Sequence, residues 1–185
     1  TKEEYNSWLE LKRRLPAYDA YICGSDQIWN ISSPEFDEAY FLTFATKDKK
    51  KIAYAPSFGV STFTELQNEK LVEYIKHIDF LSIREKSGQE MIKSLTNRYS
   101  ELLLDPTLLL DANQWNEIAK KPKFKKSYIL YYHVINKPYV WQYARELQRL
   151  TGYDIISLNY SFREPIKKGV KIAYGVSPEE FIGLF

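Results

Sequence analysis

Short apolar runs alternate along this chain with segments whose apolar positions recur at helical spacing. That alternation constrains the fold more than any single motif. The runs from Asp19 to Cys23, Lys51 to Ala55, Phe80 to Ile83, Leu102 to Leu104, Tyr128 to Tyr132, Asp154 to Leu158 and Val170 to Tyr174 read as strands. Six of the seven carry β-branched or aromatic residues, and five stop at Gly, Pro, Asp or Arg. Helices are predicted over 3–15, 64–78, 87–96 and 138–150, from Asp111, and from Ser177. Trp8, Leu11 and Leu15 share one helical face, as do Leu71, Ile75 and Ile78, and Val140, Ala144 and Leu147. Ser87-Gly88-Gln89-Glu90 and Ser177-Pro178-Glu179-Glu180 read as capping boxes at helix starts. The stretch 24–49 reads mostly as loop, with one extended candidate at Tyr40 to Phe44.

Strands alternating with helices give βαβ units and a parallel sheet. The strands lack clean polar–apolar alternation, which predicts burial on both faces. Lys120-Lys121-Pro122-Lys123 breaks the pattern and reads as a linker. The expectation is an α/β chain of two domains with parallel sheets, 1–121 and 122–185, each incomplete. Two further features point to a central slice of a longer protein. The sole methionine is Met91, and the last predicted helix stops at Phe181, Ile182, Leu184 and Phe185 with no cap.

Composition removes several function classes. With 26 Lys+Arg against 24 Asp+Glu, the formal charge of +2 gives no concentrated cationic face, so no nucleic-acid partner is expected. The basic runs Lys49-Lys50-Lys51 and Lys120 to Lys126 read as solvated loop ends. Cys23, the single cysteine, permits no internal disulfide and suggests a cytoplasmic, reducing compartment. One cysteine with His77 and His133 cannot supply a spaced zinc set, so no metal is expected. No apolar run approaches the roughly 18 residues of a transmembrane segment.

In an open parallel sheet, ligands bind beyond the carboxyl ends of the strands. Four such ends are polar or backbone-permissive here: Gly24-Ser25-Asp26-Gln27, Ser57-Phe58-Gly59, Arg84-Glu85 and Asp105-Pro106. Gly24 permits close approach of a ligand, or simply a turn. Asp26 can accept from a sugar hydroxyl or act as a base, or cap the next turn. Gln27 and Asn30 offer both donor and acceptor to sugar hydroxyls. Trp29 can stack on a pyranose or fill the core. Arg84 follows an apolar run and needs an anionic partner, either a phosphate or carboxylate ligand or an internal carboxylate such as Glu85 or Asp105. Ser87 and Gly88 at the following helix start add N–H groups that favour an anion. His77 and His133 read as structural. Dinucleotide, Walker and nucleophile-elbow motifs do not occur.

The order of these blocks resembles the polysaccharide pyruvyl transferase family of bacterial surface-polysaccharide clusters. The blocks are Gly24-Ser25-Asp26-Gln27-Ile28-Trp29-Asn30, Ala55-Pro56-Ser57-Phe58-Gly59, Ser82-Ile83-Arg84-Glu85-Lys86-Ser87, Asp105-Pro106-Thr107-Leu108-Leu109-Leu110 with Trp115, and Ser177-Pro178-Glu179-Glu180-Phe181. The resemblance spans about residues 18–185. It implies a GT-B-like pair of Rossmann-like domains. It also implies transfer of the enolpyruvyl unit of phosphoenolpyruvate to two hydroxyls of a sugar as a ketal, with no metal or organic cofactor. The acceptor would be a glycan or lipid-linked sugar, met in the cytoplasm or at the inner face of the membrane. Arg84 and Ser87 would face the donor. Gly24, Ser25, Asp26, Gln27, Trp29, Asn30, Ser57 and Gly59 would line the acceptor side, with Asp26 the candidate catalytic group. Family members also carry a Gly/Asn-rich loop before, and a Ser-Phe-His-Gly-like block after, the span seen here. The general acid or base is therefore expected beyond Phe185, and residues 1–185 alone are expected to be inactive. Two alternatives stand beside this one: a GT-B-type sugar-nucleotide glycosyltransferase, and a non-catalytic carbohydrate-binding module.

Overall fold

Ser7 opens the chain's first helix. Its hydroxyl accepts from the Glu10 N–H and satisfies one orphan donor of α1 (Trp8–Arg13). In the computed structural model, which describes residues 4–15, 17–133, 137–158 and 169–185, the chain forms two compact units, Thr1–Leu109 and Leu110–Phe185. α1 is shorter than the predicted 3–15, but Trp8, Leu11 and Leu15 still share the face turned to the core.

In the first unit, β1 (Ala20–Cys23) runs parallel to β2 (Lys50–Ala53), with Ile22 opposite Ile52. Between them, Tyr40 to Phe44 is not a strand. A 3-10 helix covers Glu38–Phe41, started by the Asp37 carboxylate and ended by Leu42 at φ 57. The tight turn lets Phe41, Leu42 and Phe44 all enter the core, whereas a strand would send alternate residues outward. α2 (Glu65–Ile75) starts at a reciprocal cap between Thr64 and Gln67. Leu71, Ile75 and Ile78 are fully buried, as their stripe predicts.

Phe80 then bridges to Ile52, and β3 (Ser82–Ile83), α3 (Lys86–Thr96) and β4 (Glu101–Leu102) complete the unit, with β3 and β4 parallel. α3 begins slightly earlier than its Ser87 signal suggests. Glu85 is its N-cap and makes no side-chain cap, because its carboxylate is used elsewhere. Along β1 and β2 the burial alternates. Tyr21, Cys23, Lys51 and Ala53 are buried, while Ile22 is 65% and Phe80 58% exposed. The predicted burial of both faces therefore fails for these strands. Buried Lys51 is tolerable because its ammonium donates to the Thr46 and Lys49 carbonyls.

The second unit starts with α4 (Ala112–Ile118), reciprocally capped by Asp111 and Gln114. β5 (Tyr128–Tyr132), α5 (Pro138–Thr151), β6 (Asp154–Leu158), β7 (Val170–Ile172) and α6 (Pro178–Gly183) follow. The three strands are parallel with β6 in the middle. Ile155 packs with Ala144 of α5 and Tyr131 on one face. Ile156 and Leu158 pack with Leu184, Phe181 and Phe124 on the other. Residues 155–158 are buried throughout, so here the expectation of two covered faces holds. α6 starts at the Ser177–Glu180 cap expected from the sequence. The spatial boundary, at Leu109 and Leu110, precedes the Lys120-Lys121-Pro122-Lys123 stretch, since α4 packs on α6 and the Lys120 N–H donates to the Glu179 carbonyl.

The first unit thus carries two two-stranded parallel sheets, β1-β2 and β3-β4, linked by the Ile52–Phe80 bridge, and the second a single three-stranded parallel sheet, with helices between strands as in Rossmann-like folds. Among the described residues, no helix is long and apolar enough to cross a membrane.

Candidate functional site

The carboxyl ends of the first unit's strands are laced together by main-chain bonds. The Tyr54 N–H donates to the Cys23 carbonyl, Ser57 N–H to Asp26, Trp29 N–H to Ser57, and Arg84 N–H to Pro56. Gly24 sits at φ +143, and a Cβ there would lie 1.8 Å from the Tyr54 carbonyl oxygen. The close approach that requires glycine is therefore to the neighbouring loop's own backbone. Ser82 adds a buried side-chain tie, accepting from the Ala55 N–H and donating to the Ala53 carbonyl.

Upon this frame, three strand ends converge at one carboxylate. Asp105, just past β4, receives the Ser25 hydroxyl at 2.9 Å and Arg84 Nη1 at 2.9 Å, both on Oδ2. Its Oδ1 takes the Thr107 N–H at 3.0 Å and the Thr107 hydroxyl at 2.8 Å, starting the 3-10 turn Pro106–Leu108. The donors from Thr107, reinforced by Ser25 and Arg84, hold the Asp105 carboxyl down at about 2 against an opposing effect of partial burial. Asp105 is a carboxylate at neutral pH and has no proton to give. Arg84 Nη2 also lies 4.0 Å from Asp26 Oδ1. That second contact is weak, because the Asp26 side chain is 87% exposed.

The sequence-predicted residues divide accordingly. Ser25, Asp26 and Arg84 are brought together. Arg84 has an internal partner, one of its two sequence readings, yet its side chain stays 28% exposed. Gln27 lies against Gly59, whose φ is +66 and where an added Cβ would sit 2.7 Å from Gln27 Oε1. Ser57 is buried and its hydroxyl accepts from the Gly59 N–H, so it braces its loop. Asn30 Oδ1 accepts from the Ser32 N–H in a local turn. Ser87 is exposed in the first turn of α3.

Trp29 is a correction. It is 0% exposed, stacks on Phe41 at 4.7 Å, lies 5.7 Å from Phe58, and donates Nε1–H to the Tyr40 carbonyl. A ring enclosed in this way cannot stack on a sugar, and it serves as the core anchor of the loop that presents Ser25 and Asp26.

Sequence reasoning offered Asp105 as one possible partner of Arg84, but missed that Ser25 joins them on the same oxygen. The Asp-Pro-Thr spacing signals an aspartate that caps its own turn. Nothing local signals a contact to Ser25, eighty residues earlier in the chain. Glu85, offered as a possible partner of Arg84, has another role: its Oε1 accepts from the Phe58 N–H at 2.8 Å and holds the second strand-end loop.

Cys23 is buried and its thiol is pushed up to about 12 by desolvation, so it is inert packing. His77 is exposed. His133 leans on Tyr131 at 5.0 Å, with both ring nitrogens out of solvent and without a hydrogen-bond partner among the described residues. No cluster of three His, Cys, Asp or Glu side chains suited to a metal occurs among the described residues.

The arrangement offers chemistry of a definite kind. A guanidinium with N–H groups to spare is held beside an exposed carboxylate, at strand ends rich in backbone and side-chain hydrogen bonds. Compared with known protein families, residues 1–185 match the family model described as polysaccharide pyruvyl transferase. No curated protein and no solved structure matches the chain.

Proposed function

The chain belongs to the polysaccharide pyruvyl transferase family, and from that premise we propose that it moves the enolpyruvyl unit of phosphoenolpyruvate onto two hydroxyls of a sugar residue. The product is a cyclic pyruvate ketal. Both sugar oxygens form bonds to C2 of the donor, the bond from C2 to the phosphate oxygen breaks, and C3 gains a proton to become a methyl group. Of the two protons released from the hydroxyls, one balances C3 and the other leaves with phosphate or solvent.

The residues of the first unit suit the binding part of this reaction. Arg84 contacts the donor's phosphate or carboxylate through guanidinium N–H groups that Asp105 does not use, which its partial exposure supports. Ser87 and the free N–H groups of the α3 start assist. Asp26, exposed and beside Arg84, takes the acceptor hydroxyl's proton, and Ser25, Gln27, Asn30 and Gly59 flank the sugar. The acid that protonates C3 is assigned to a histidine outside these residues. The two parallel-sheet units correspond, on this reading, to the Rossmann-like domains of a GT-B-like enzyme that needs no metal or organic cofactor. The acceptor is a glycan or lipid-linked sugar, met on the cytoplasmic side.

The single observation behind this reading is the family match over the whole span. The test is phosphate release from phosphoenolpyruvate with candidate sugar acceptors, using the protein at its full natural length. Arg84→Ala is expected to weaken donor affinity at least tenfold, since a hydrogen bond to a charged group contributes about 1.5–3 kcal/mol. Unchanged donor affinity removes Arg84 from the donor site. Thermal stabilisation by UDP or GDP, with none by phosphoenolpyruvate, replaces pyruvyl transfer with glycosyl transfer.

A further inference from the structure

The two oxygens of Asp105 do different work. Oδ1 faces its own turn and takes both donors of Thr107. Oδ2 faces away from the turn and collects Ser25 from the loop after β1 and Arg84 from the end of β3. Among the described residues, Arg84 has no other ion pair as close. Asp26 is at 4.0 Å and largely in water, while Glu85 is committed to the Phe58 N–H. The direction of the guanidinium is therefore set by one oxygen atom. With Nη1 held on Asp105, Nη2 is left on the side of Asp26.

We infer that Asp105 is a positioning residue that aims Arg84 at the donor anion and pins the Ser25 loop beside it, through Oδ2 alone. The inference rests on the reading of Arg84 as the donor contact. It adds that the second negative charge next to Arg84 is a fixed anchor that the donor does not displace. A carboxylate that the donor had to evict would weaken donor binding. A carboxylate that orients the guanidinium strengthens it, because a planar fork binds an oxyanion well in few orientations. The short Ser25 and Arg84 contacts on one oxygen, with the other oxygen locked by Thr107, favour the anchor.

The two oxygens can be tested separately. In Asp105→Asn the amide oxygen keeps the Thr107 cap and the amide NH2 replaces Oδ2, setting a donor against Arg84. In Thr107→Val the hydroxyl bond to Oδ1 is lost and Oδ2 is untouched. The measurement is calorimetric titration with phosphoenolpyruvate and steady-state kinetics, on the full-length protein and both variants, with melting temperatures alongside. Asp105→Asn is expected to raise the donor Kd and KM about tenfold, with kcat within about twofold, as for the loss of one charge-assisted bond. Thr107→Val is expected to lower the melting temperature and leave donor Kd within about twofold. Ser25→Ala, a milder change, is expected to raise donor Kd about threefold and keeps the idea testable should Asp105→Asn not fold. If the unaltered protein binds the donor and Asp105→Asn binds it equally well or better, Asp105 is a competitor and the inference fails while pyruvyl transfer stands. If Thr107→Val weakens donor binding as much as Asp105→Asn, the role is structural and the inference again fails. If the unaltered protein does not bind phosphoenolpyruvate, the donor reading and the inference fall together.

Discussion

The two units bury their sheets differently. In the second, β6 lies between α5 and α6, and Ile155 through Leu158 are buried one after another. In the first, β1 and β2 alternate, with Tyr21, Cys23 and Ala53 inward and Ile22 outward in a row with Ile52 and Phe80. The chemistry at the strand ends differs as well. The first unit ties three of its strand ends into one polar cluster around Asp105, while in the second β5 is followed by His133, whose ring nitrogens bond to nothing among the described residues. The lesson concerns where a strand's sequence is constrained. A central strand covered twice must be buried at successive positions and is almost wholly apolar, with only the small Ser157 polar among the buried residues of β6, whereas a strand covered once needs apolar residues only at alternate positions.

The sharpest way to break this comparison is to place a charge on each kind of strand. Ile156→Asp is expected to cost about 4 kcal/mol or more, since an unpaired carboxylate would sit in an apolar cluster. Ile22→Lys is expected to change stability by no more than about 0.5 kcal/mol, as for other exposed positions. Chemical denaturation measures both. A loss of several kcal/mol for Ile22→Lys would mean that the outer face of the first unit is covered in the working protein.

A second test separates core from site in the first unit. Trp29→Ala is expected to cost about 3–5 kcal/mol, because it empties a packed space between Phe41 and Phe58. Trp29→Phe is expected to cost less and to leave acceptor KM nearly unchanged. A selective rise in acceptor KM with unchanged stability would return Trp29 to the sugar-binding surface.

The smallest expected effect is electrostatic and belongs to the first unit. Asp105 is held at about 2 in the folded chain, below the ordinary aspartate value near 4. A depressed carboxylate contributes stability that is fully present above the unfolded value and is lost as pH falls through the folded one. The contribution is expected to be about 1 kcal/mol, intact at about pH 5 and fading between about pH 4 and pH 2. Unfolding midpoints measured across that range should show the loss, and Asp105→Asn should flatten it.

Much of the architecture was legible because it rests on local periodicity and caps. The stripe of Leu71, Ile75 and Ile78, the Asp111 and Ser177 caps, and the order of strands all follow from contacts within a few residues. Tyr40 to Phe44 misled because aromatic density favours strands, while Asp37 and the left-handed Leu42 impose a tight turn. The Ser87 capping signal misled by two residues: α3 starts at Lys86 with Glu85 as its N-cap, and the Glu85 carboxylate goes to the Phe58 N–H. For the site, the four strand ends could be picked out one by one and Asp105 offered as one partner of Arg84, yet the arrival of Ser25 on the same oxygen could not be read.

By itself the sequence settles that this is an α/β chain with parallel strands, and it places Ser25, Asp26, Arg84 and Asp105 each at a strand's carboxyl end. Tertiary structure decides which of them meet. Periodicity reports which side of an element is apolar, and it carries no distance between residues eighty positions apart. Only the parallel pairing of the strands, which stacks their carboxyl ends side by side, puts the Ser25 hydroxyl and the Arg84 guanidinium on one oxygen of Asp105. The same packing takes Trp29 out of reach of any ligand, because the free energy of burying so large a ring outweighs its use at the surface.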